Sequence, residues 1–258
     1  MKQKLSTPRE LKENLSLRAH PHLIGIDGPD GVGKGTFVAE FTKTVSVICG
    51  AQNVISTSGT RFEACSKSQK LEKKLKTVLN PTERNRLFLL STKIIFEEIV
   101  IPSLKKGQIV ILDSSDLRHL AYVTAMYGKG SSVWKDTFRQ IIEGKLTCQY
   151  QPGIRIILTA PSSDLLKNLK KRESTDEGDP TNIKQAEKRL EAYRKTINLF
   201  RGFAITGDTK WINVINWSVS PHKVKKHLSK LIKEEIIPEF PSLLLNYHPV
   251  NLSLEKPL

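Results

Sequence analysis

His22-Leu-Ile-Gly-Ile-Asp-Gly28-Pro-Asp-Gly-Val-Gly33-Lys34-Gly35-Thr36 is the stretch whose reading decides the fold. An apolar run gives way to a glycine-rich loop, then a lysine, then an amphipathic run. That order predicts a strand over Leu23–Asp27, a phosphate loop, and a helix from Thr36 to about Val47. The spacing Gly28-x4-Gly33-Lys34 fits such a loop. Gly35 follows where Ser or Thr is common, and a hydroxyl arrives one place late, at Thr36. The residue types have a physical reason. Backbone N–H groups must converge on a polyanion, so side chains are absent from the inner face. The helix N-terminus adds partial positive charge, and Lys34 adds a mobile full charge. The ligand type is therefore a nucleoside triphosphate.

Working outward, four more β-rich runs stand out: Val54–Thr57, Gln108–Asp113, Ile154–Thr159 and Trp211–Asn216. Nearly continuous apolar strands separated by helical patterns predict an α/β fold, a parallel sheet covered on both faces. Ligands bind such sheets at the carboxyl ends of the strands. Asp27, Ser58–Arg61 and Asp113 all fall there. Helices are expected over Ser66–Leu79, Thr82–Leu104, Ser162–Lys171 and Asn182–Phe200, with Asn80-Pro81-Thr82-Glu83 as a stop followed by a new start. The polar segment Arg172–Pro180 has loop composition inside a packed domain and is a candidate lid, about 170–182. Residues 1–20 read as an extension, 21–236 as the nucleotide-binding domain, and 237–258 as a proline-spaced tail.

The 258 residues are enough for a full core without disulfides or metal. Cys49, Cys65 and Cys148 are odd in number and widely spaced, which reads as free thiols in a reducing compartment. The first residues lack the apolar core of a signal peptide, and no run approaches a membrane span, so the expected location is the cytoplasm. The net charge of +15 admits nucleic-acid binding. The lysines are spread over many helices rather than gathered in one arm, which favours a solvated surface that attracts phosphate-bearing substrates.

Ile109-Val-Ile-Leu112-Asp113 ends an apolar strand in an acid, which can orient Mg²⁺ through water or position an acceptor phosphate. Asp27 also ends a strand, and reads equally as a turn-stabilising carboxylate.

These residues resemble the thymidylate kinases among the nucleoside monophosphate kinases, over about residues 22–232. The carriers are GIDGPDGVGKGT with its Asp30-Gly31 pair, Ile99–Gly107, Asp113-Ser-Ser-Asp-Leu-Arg-His-Leu-Ala121-Tyr122, Ala186–Tyr193, and Lys210-Trp-Ile-Asn-Val-Ile-Asn. The Lys-Gly-Thr of the loop is closer to adenylate and uridylate kinases. The resemblance implies a three-layer P-loop kinase fold of five parallel strands with a lid. It also implies transfer of the γ-phosphoryl group of ATP, with Mg²⁺, to a nucleoside monophosphate, dTMP first. Catalytic roles fall to Lys34, Asp113 and a basic lid residue among Lys170, Lys171 and Arg172. ATP contacts fall to Asp30, Gly31, Val32, Gly33, Lys34, Gly35 and Thr36, and metal contacts to Thr36 and Asp113. Asp27, Arg61, Phe88, Lys93, Arg118 and Tyr122 are the acceptor-side candidates. By analogy the chain forms a homodimer.

The acceptor side departs from the family pattern. The arginine after the third-strand Asp is Ser114 here, with Arg118 four residues on. The Arg-Glu-Pro after strand two has no match, and only Gly59-Thr60, then Arg61, fits. The ring-holding helix offers Phe88, but its following arginine position is Thr92, or Lys93 if the register shifts. Each lost charged contact weakens monophosphate binding by about 1.5–3 kcal/mol. Two alternatives stand: a same-fold phosphotransferase acting on a nucleoside, and a catalytically weak nucleotide- or nucleic-acid-binding relative.

Overall fold

The computed structural model describes residues 18–78, 80–148, 150–171, 179–202, 209–215, 226 and 228–239. Five parallel strands form its centre: β1 (Arg18–Asp27), β2 (Val54–Ser58), β3 (Ile109–Asp113), β4 (Tyr150–Thr159) and β5 (Lys210–Ile215). Their order across the sheet is β2-β3-β1-β4-β5. The chain leaves β1 toward one edge and returns from β3 toward the other. The crevice at the carboxyl ends of β1 and β3 is thus the topological switch point, where such sheets bind ligands. Asp113 lies there, paired with Ile26 of β1 and Ser58 of β2.

Around the sheet lie α1 (Lys34–Cys49), α2 (Ser66–Leu75), α3 (Pro81–Ile95), α4 (Ile101–Lys105), α5 (Asp116–Tyr127), α6 (Ser132–Ile142), α7 (Ser162–Leu169) and α8 (Ile183–Gly202). Alternation along the strands sorts the core into two layers. Ile24, Ile26, Ile111, Ile156 and Leu158 pack against Phe37, Phe41 and Val45 of α1 and against Leu228 and Ile232 near the C-terminus. On the other face, Leu23, Val110 and Leu112 meet Ile95, Phe96, Val100 and Leu104, while Ile157 meets Leu117, Ala121, Tyr193 and Ile197. Burying side chains of this size stabilises by about 1.5–3 kcal/mol each. Strands covered on both faces read as continuous apolar runs, which is why the sequence showed them.

Some boundaries differ from the sequence reading. β1 begins at Arg18, so residues 18–20 of the expected extension belong to the sheet, paired with Tyr150–Pro152 of β4. The single helix expected over Thr82–Leu104 is α3, a π turn at Phe96–Val100, and α4. Its start is as read: the Asn80 side chain accepts from the N–H groups of Thr82 and Glu83 at 2.9 and 3.2 Å. Helices α5 and α6 fill the stretch between β3 and β4. Serines cap them, Ser115 accepting from Leu117 N at 3.3 Å and Ser131 from Trp134 N at 3.2 Å.

Candidate active site

The loop after β1 is shaped by backbone. Gly31 and Gly33 sit at φ 85 and 89°, where other residues are strained. A Cβ on Gly28 would lie 2.5 Å from the Leu158 carbonyl oxygen, and one on Gly31 2.6 Å from that of Leu165. The loop is thereby pressed against β4 and α7, and Asn168 of α7 braces it by donating to the Gly31 carbonyl at 2.9 Å. Among the described residues no side chain caps the N-terminus of α1. Its first N–H groups remain for an anion, which is the arrangement a polyphosphate needs.

Lys34 is buried and folds over the loop, donating to the carbonyls of Gly28 (2.8 Å) and Pro29 (3.1 Å) and lying 3.5 Å from Asp30. Burial pulls its pKa below the lysine range, and the Asp30 carboxylate works against that pull. Thr36 is exposed in the first turn of α1, and half-buried Asp113 accepts a long bond, 3.4 Å, from the Ser114 hydroxyl. Among the described residues no three His, Cys, Asp or Glu side chains gather into a metal cluster. A hard cation here would therefore rest on Thr36, Asp113 and the phosphates themselves, a donor set of oxygens that suits Mg²⁺.

On the other side of the crevice, Arg118 of α5 spans two segments. Its Nη2 meets Asp30 at 3.1 Å and its Nη1 meets the Thr60 hydroxyl at 3.3 Å. The loop, the segment after β2 and the start of α5 are thus joined by one guanidinium. Ser58 shapes the middle segment by accepting from Thr60 N and Arg61 N at 3.3 and 3.0 Å. The Arg61 side chain itself is exposed.

Phe88 of α3 is half-buried, with the rings of Phe62 at 5.1 Å and His119 at 6.2 Å. Thr92, one turn on, is fully buried and shares a 2.7 Å bond with His119 Nε2. Burial pulls the His119 pKa down to about 4, Arg118 adding to the effect and Asp116 opposing it. His119 is therefore neutral at pH 7. Thr92 also reaches the Phe88 carbonyl at 3.2 Å, a bond it alone can donate.

Two acceptor-side candidates are corrected. Asp27 has no exposure. Its carboxylate accepts from Ser115 N at 2.8 Å and Ser115 Oγ at 2.6 Å and lies 3.6 Å from Arg155. It braces the segment after β3, the turn-stabilising alternative. Burial raises its pKa, while Arg155 and Ser115 counter that rise. Lys93 projects from the exposed side of α3 toward Glu97, 3.7 Å away, because the helical register turns Thr92 inward instead. Tyr122 lies under the Arg189 guanidinium, 4.4 Å from its ring centroid. Lys170 and Lys171 are exposed after α7, and Arg172 lies outside the described residues.

The sequence reading missed His119 and Arg155. His119 had a signal, a histidine beside Arg118 in the quoted Asp113–Tyr122 segment. Arg155 is hidden in an apolar strand, where one charged residue reads as an edge position.

No family model matches the chain. A curated thymidylate kinase of Mycoplasmopsis agalactiae is 26% identical over 181 residues, covering 68% of this chain and 81% of that protein. One from Mycoplasma mobile is 24% identical over 178 residues, covering 68% and 83%. The crystal structure of thymidylate kinase from Ehrlichia chaffeensis superposes with a TM-score of 0.52 at 17% identity, over 82% of this chain and 97% of that one. No helix among the described residues is long and apolar enough to cross a membrane.

Proposed function

We propose, from the chain's likeness to thymidylate kinases as a divergent relative, that it moves the γ-phosphoryl group of ATP to a nucleoside monophosphate, with dTMP the first candidate. The observation that carries this reading is the bridge made by Arg118. It ties Asp30 of the phosphate loop to Thr60 after β2, 3.1 and 3.3 Å away, at the switch point of the sheet. A cation thus stands between the donor loop and the acceptor wall, although Ser114 occupies the family's arginine position.

Phosphoryl transfer asks little covalent work of a protein; it asks for alignment, charge neutralisation and exclusion of water. The loop N–H groups and the open start of α1 bind the donor phosphates. Lys34 leaves its carbonyl partners to follow the charge that builds on the transferred group. Arg118 holds the acceptor phosphate in line, and Phe88 with the Thr92–His119 pair bounds the base. Thr36 and Asp113 would hold Mg²⁺, which would supply charge neutralisation when bound. The resemblance to thymidylate kinases also supports a homodimer and a cytoplasmic location, and neither is needed for the site.

A second reading rests on Ser114, and on the segment Ser56-Thr57-Ser58, standing where acceptor-phosphate charges are expected: the acceptor is a nucleoside. One experiment addresses both. A coupled assay with ATP and Mg²⁺ is run over all nucleoside monophosphates and nucleosides, ribo and deoxy. Turnover is expected on a pyrimidine monophosphate. Turnover on nucleosides alone selects the second reading, and a folded chain that turns over none of them sinks both.

A further inference from the structure

We propose that Arg155 is a positioning residue for the acceptor side, a role that rests on the kinase reading above: it sets where α5 begins and, through that, where Arg118 points. Arg155 sits in the middle of β4 with no exposure, opposite Gly25 of β1. A Cβ on Gly25 would lie 3.5 Å from Ser115 Cβ and 3.2 Å from Pro152 Cγ, so the bare glycine keeps this strip open. The guanidinium divides between two residues at the head of α5. Nη1 donates to Ser115 Oγ at 2.7 Å, and Nη2 to Asp116 Oδ1 at 2.8 Å and Gln151 Oε1 at 2.5 Å. The rings of Phe200 and Trp211, 5.2 and 5.7 Å away, cover it.

What Arg155 holds is the N-cap itself. Ser115 Oγ receives Arg155 and Leu117 N and spends its hydrogen on Asp27 Oδ2, so all of its bonding directions are fixed. Leu117 N also reaches Asp116 Oδ1 at 3.0 Å. The preceding Ser114 is held at φ 73°, a left-handed conformation that serine adopts only when its surroundings impose it. Its N–H donates to the Ile26 carbonyl at 3.0 Å. Its own carbonyl oxygen lies 2.3 Å from where a Gly59 Cβ would stand, which packs it against the turn after β2. Arg118 follows within the first turn of α5, so its reach to Asp30 and Thr60 is inherited from this start.

The network is poorly optimised for stability. Among the described residues, Arg155 Nε and Asp116 Oδ2 are buried without hydrogen-bond partners. Buried ion pairs of this kind are often no more stable than apolar residues of similar volume. Two orphaned atoms are tolerated where the remaining bonds fix a geometry that an apolar side chain cannot.

The test compares the full-length chain with Arg155→Met, Arg118→Met and the double variant, measuring KM for acceptor and for ATP separately. Arg155→Met is expected to raise acceptor KM about tenfold, the scale of a lost charged hydrogen bond, and to leave ATP KM within about twofold. In the double variant acceptor KM is expected to equal that of Arg118→Met alone. An unchanged acceptor KM with only a lowered melting temperature, or effects that multiply in the double variant, overturns the proposal. If Arg155→Met does not fold, Asp116→Asn is read the same way, and an unchanged acceptor KM overturns it equally. If the wild-type chain turns over no acceptor, the kinase reading has failed by itself. Positioning is then read by hydrogen exchange in Arg155→Met, or in Asp116→Asn where the former does not fold. Faster exchange at the Leu117 and Arg118 amides, with Phe37 and Val38 of α1 unchanged, supports the proposal. Equal exchange at all four overturns it.

Discussion

The loop Gly28–Thr36 and the proposed acceptor wall, Phe88 and Arg118 backed by buried Thr92 and His119, are built in opposite ways. The loop comes from one continuous segment, and its ligand-facing groups are backbone N–H. Its specification is a pattern of missing side chains, which local spacing reveals. The wall comes from α3 and α5, and the groups proposed to meet the ligand are side chains. Each can be exchanged for another as long as the crevice keeps its shape. A backbone-built site stays recognisable as a sequence diverges, while a side-chain-built site is rewritten. That accounts for a chain with an intact donor motif and an altered acceptor pattern.

The comparison breaks most severely if the halves do not separate under mutation. Lys34→Met is expected to lower kcat by about 10²–10³-fold, the cost of one cationic or hydrogen-bonding group aimed at developing charge. Acceptor KM is expected to stay within about threefold. The Lys34 side chain contacts the carbonyls of Gly28 and Pro29 and the Asp30 carboxylate, all on the donor loop. Steady-state kinetics at saturating ATP measure both values. A tenfold rise in acceptor KM would mean that Asp30, freed of Lys34, no longer holds Arg118, and that the halves act as one unit.

Next in size is a pH effect confined to the wall. The folded pKa of His119 is about 4, against an ordinary value of 6.5. Below 6.5 the unfolded chain takes up a proton that the folded chain refuses, so stability is lost as pH falls from 6.5 toward 4. It is fully present above 6.5. The shift corresponds to about 3 kcal/mol at the acid end. Asp27, whose pKa burial raises, works in the opposite sense over that range. The difference between wild type and His119→Gln isolates the histidine. Urea unfolding at pH 7 and pH 4.5 is expected to show wild type losing more than His119→Gln by about 2–3 kcal/mol. Equal losses would mean that His119 is hydrated and that the wall is open to solvent there.

How much of this was legible follows the same division. Five strands and the loop stood out because strands buried on both faces carry unbroken apolar runs, and because Gly28, Gly31 and Gly33 mark backbone constraints. Asp113 stood out as an acid closing such a run. Thr92 and Lys93 were not separable, since one residue of helical register decides which faces α5, and only packing fixes it. Asp27 looked like a site residue because strand-end acids beside phosphate loops commonly are. Its real partners are Ser115, 88 residues downstream, and Arg155 on β4, the third strand after β1. Arg155 was invisible because its burial depends on Asp27 and Asp116 arriving from other strands and helices.

The smallest expected effect probes the one place where the donor loop itself departs from the common pattern. Gly35 stands where a hydroxyl is usual, yet a Cβ there meets nothing within 4 Å, and its backbone is already helical. Gly35→Ser should therefore fit without strain and stabilise by about 0.5 kcal/mol through helix propensity. Gly28→Ala, with its Cβ 2.5 Å from the Leu158 carbonyl oxygen, has no such room. The informative measurement is the Mg²⁺ concentration for half-maximal rate. If Thr36 already supplies the hydroxyl that serves the ion, a second hydroxyl at 35 adds little, and the requirement stays within about twofold. A tenfold drop in that concentration would show that Thr36 does not reach the ion, and that the donor loop, like the acceptor wall, has been rewritten at a side chain while its backbone stayed the same.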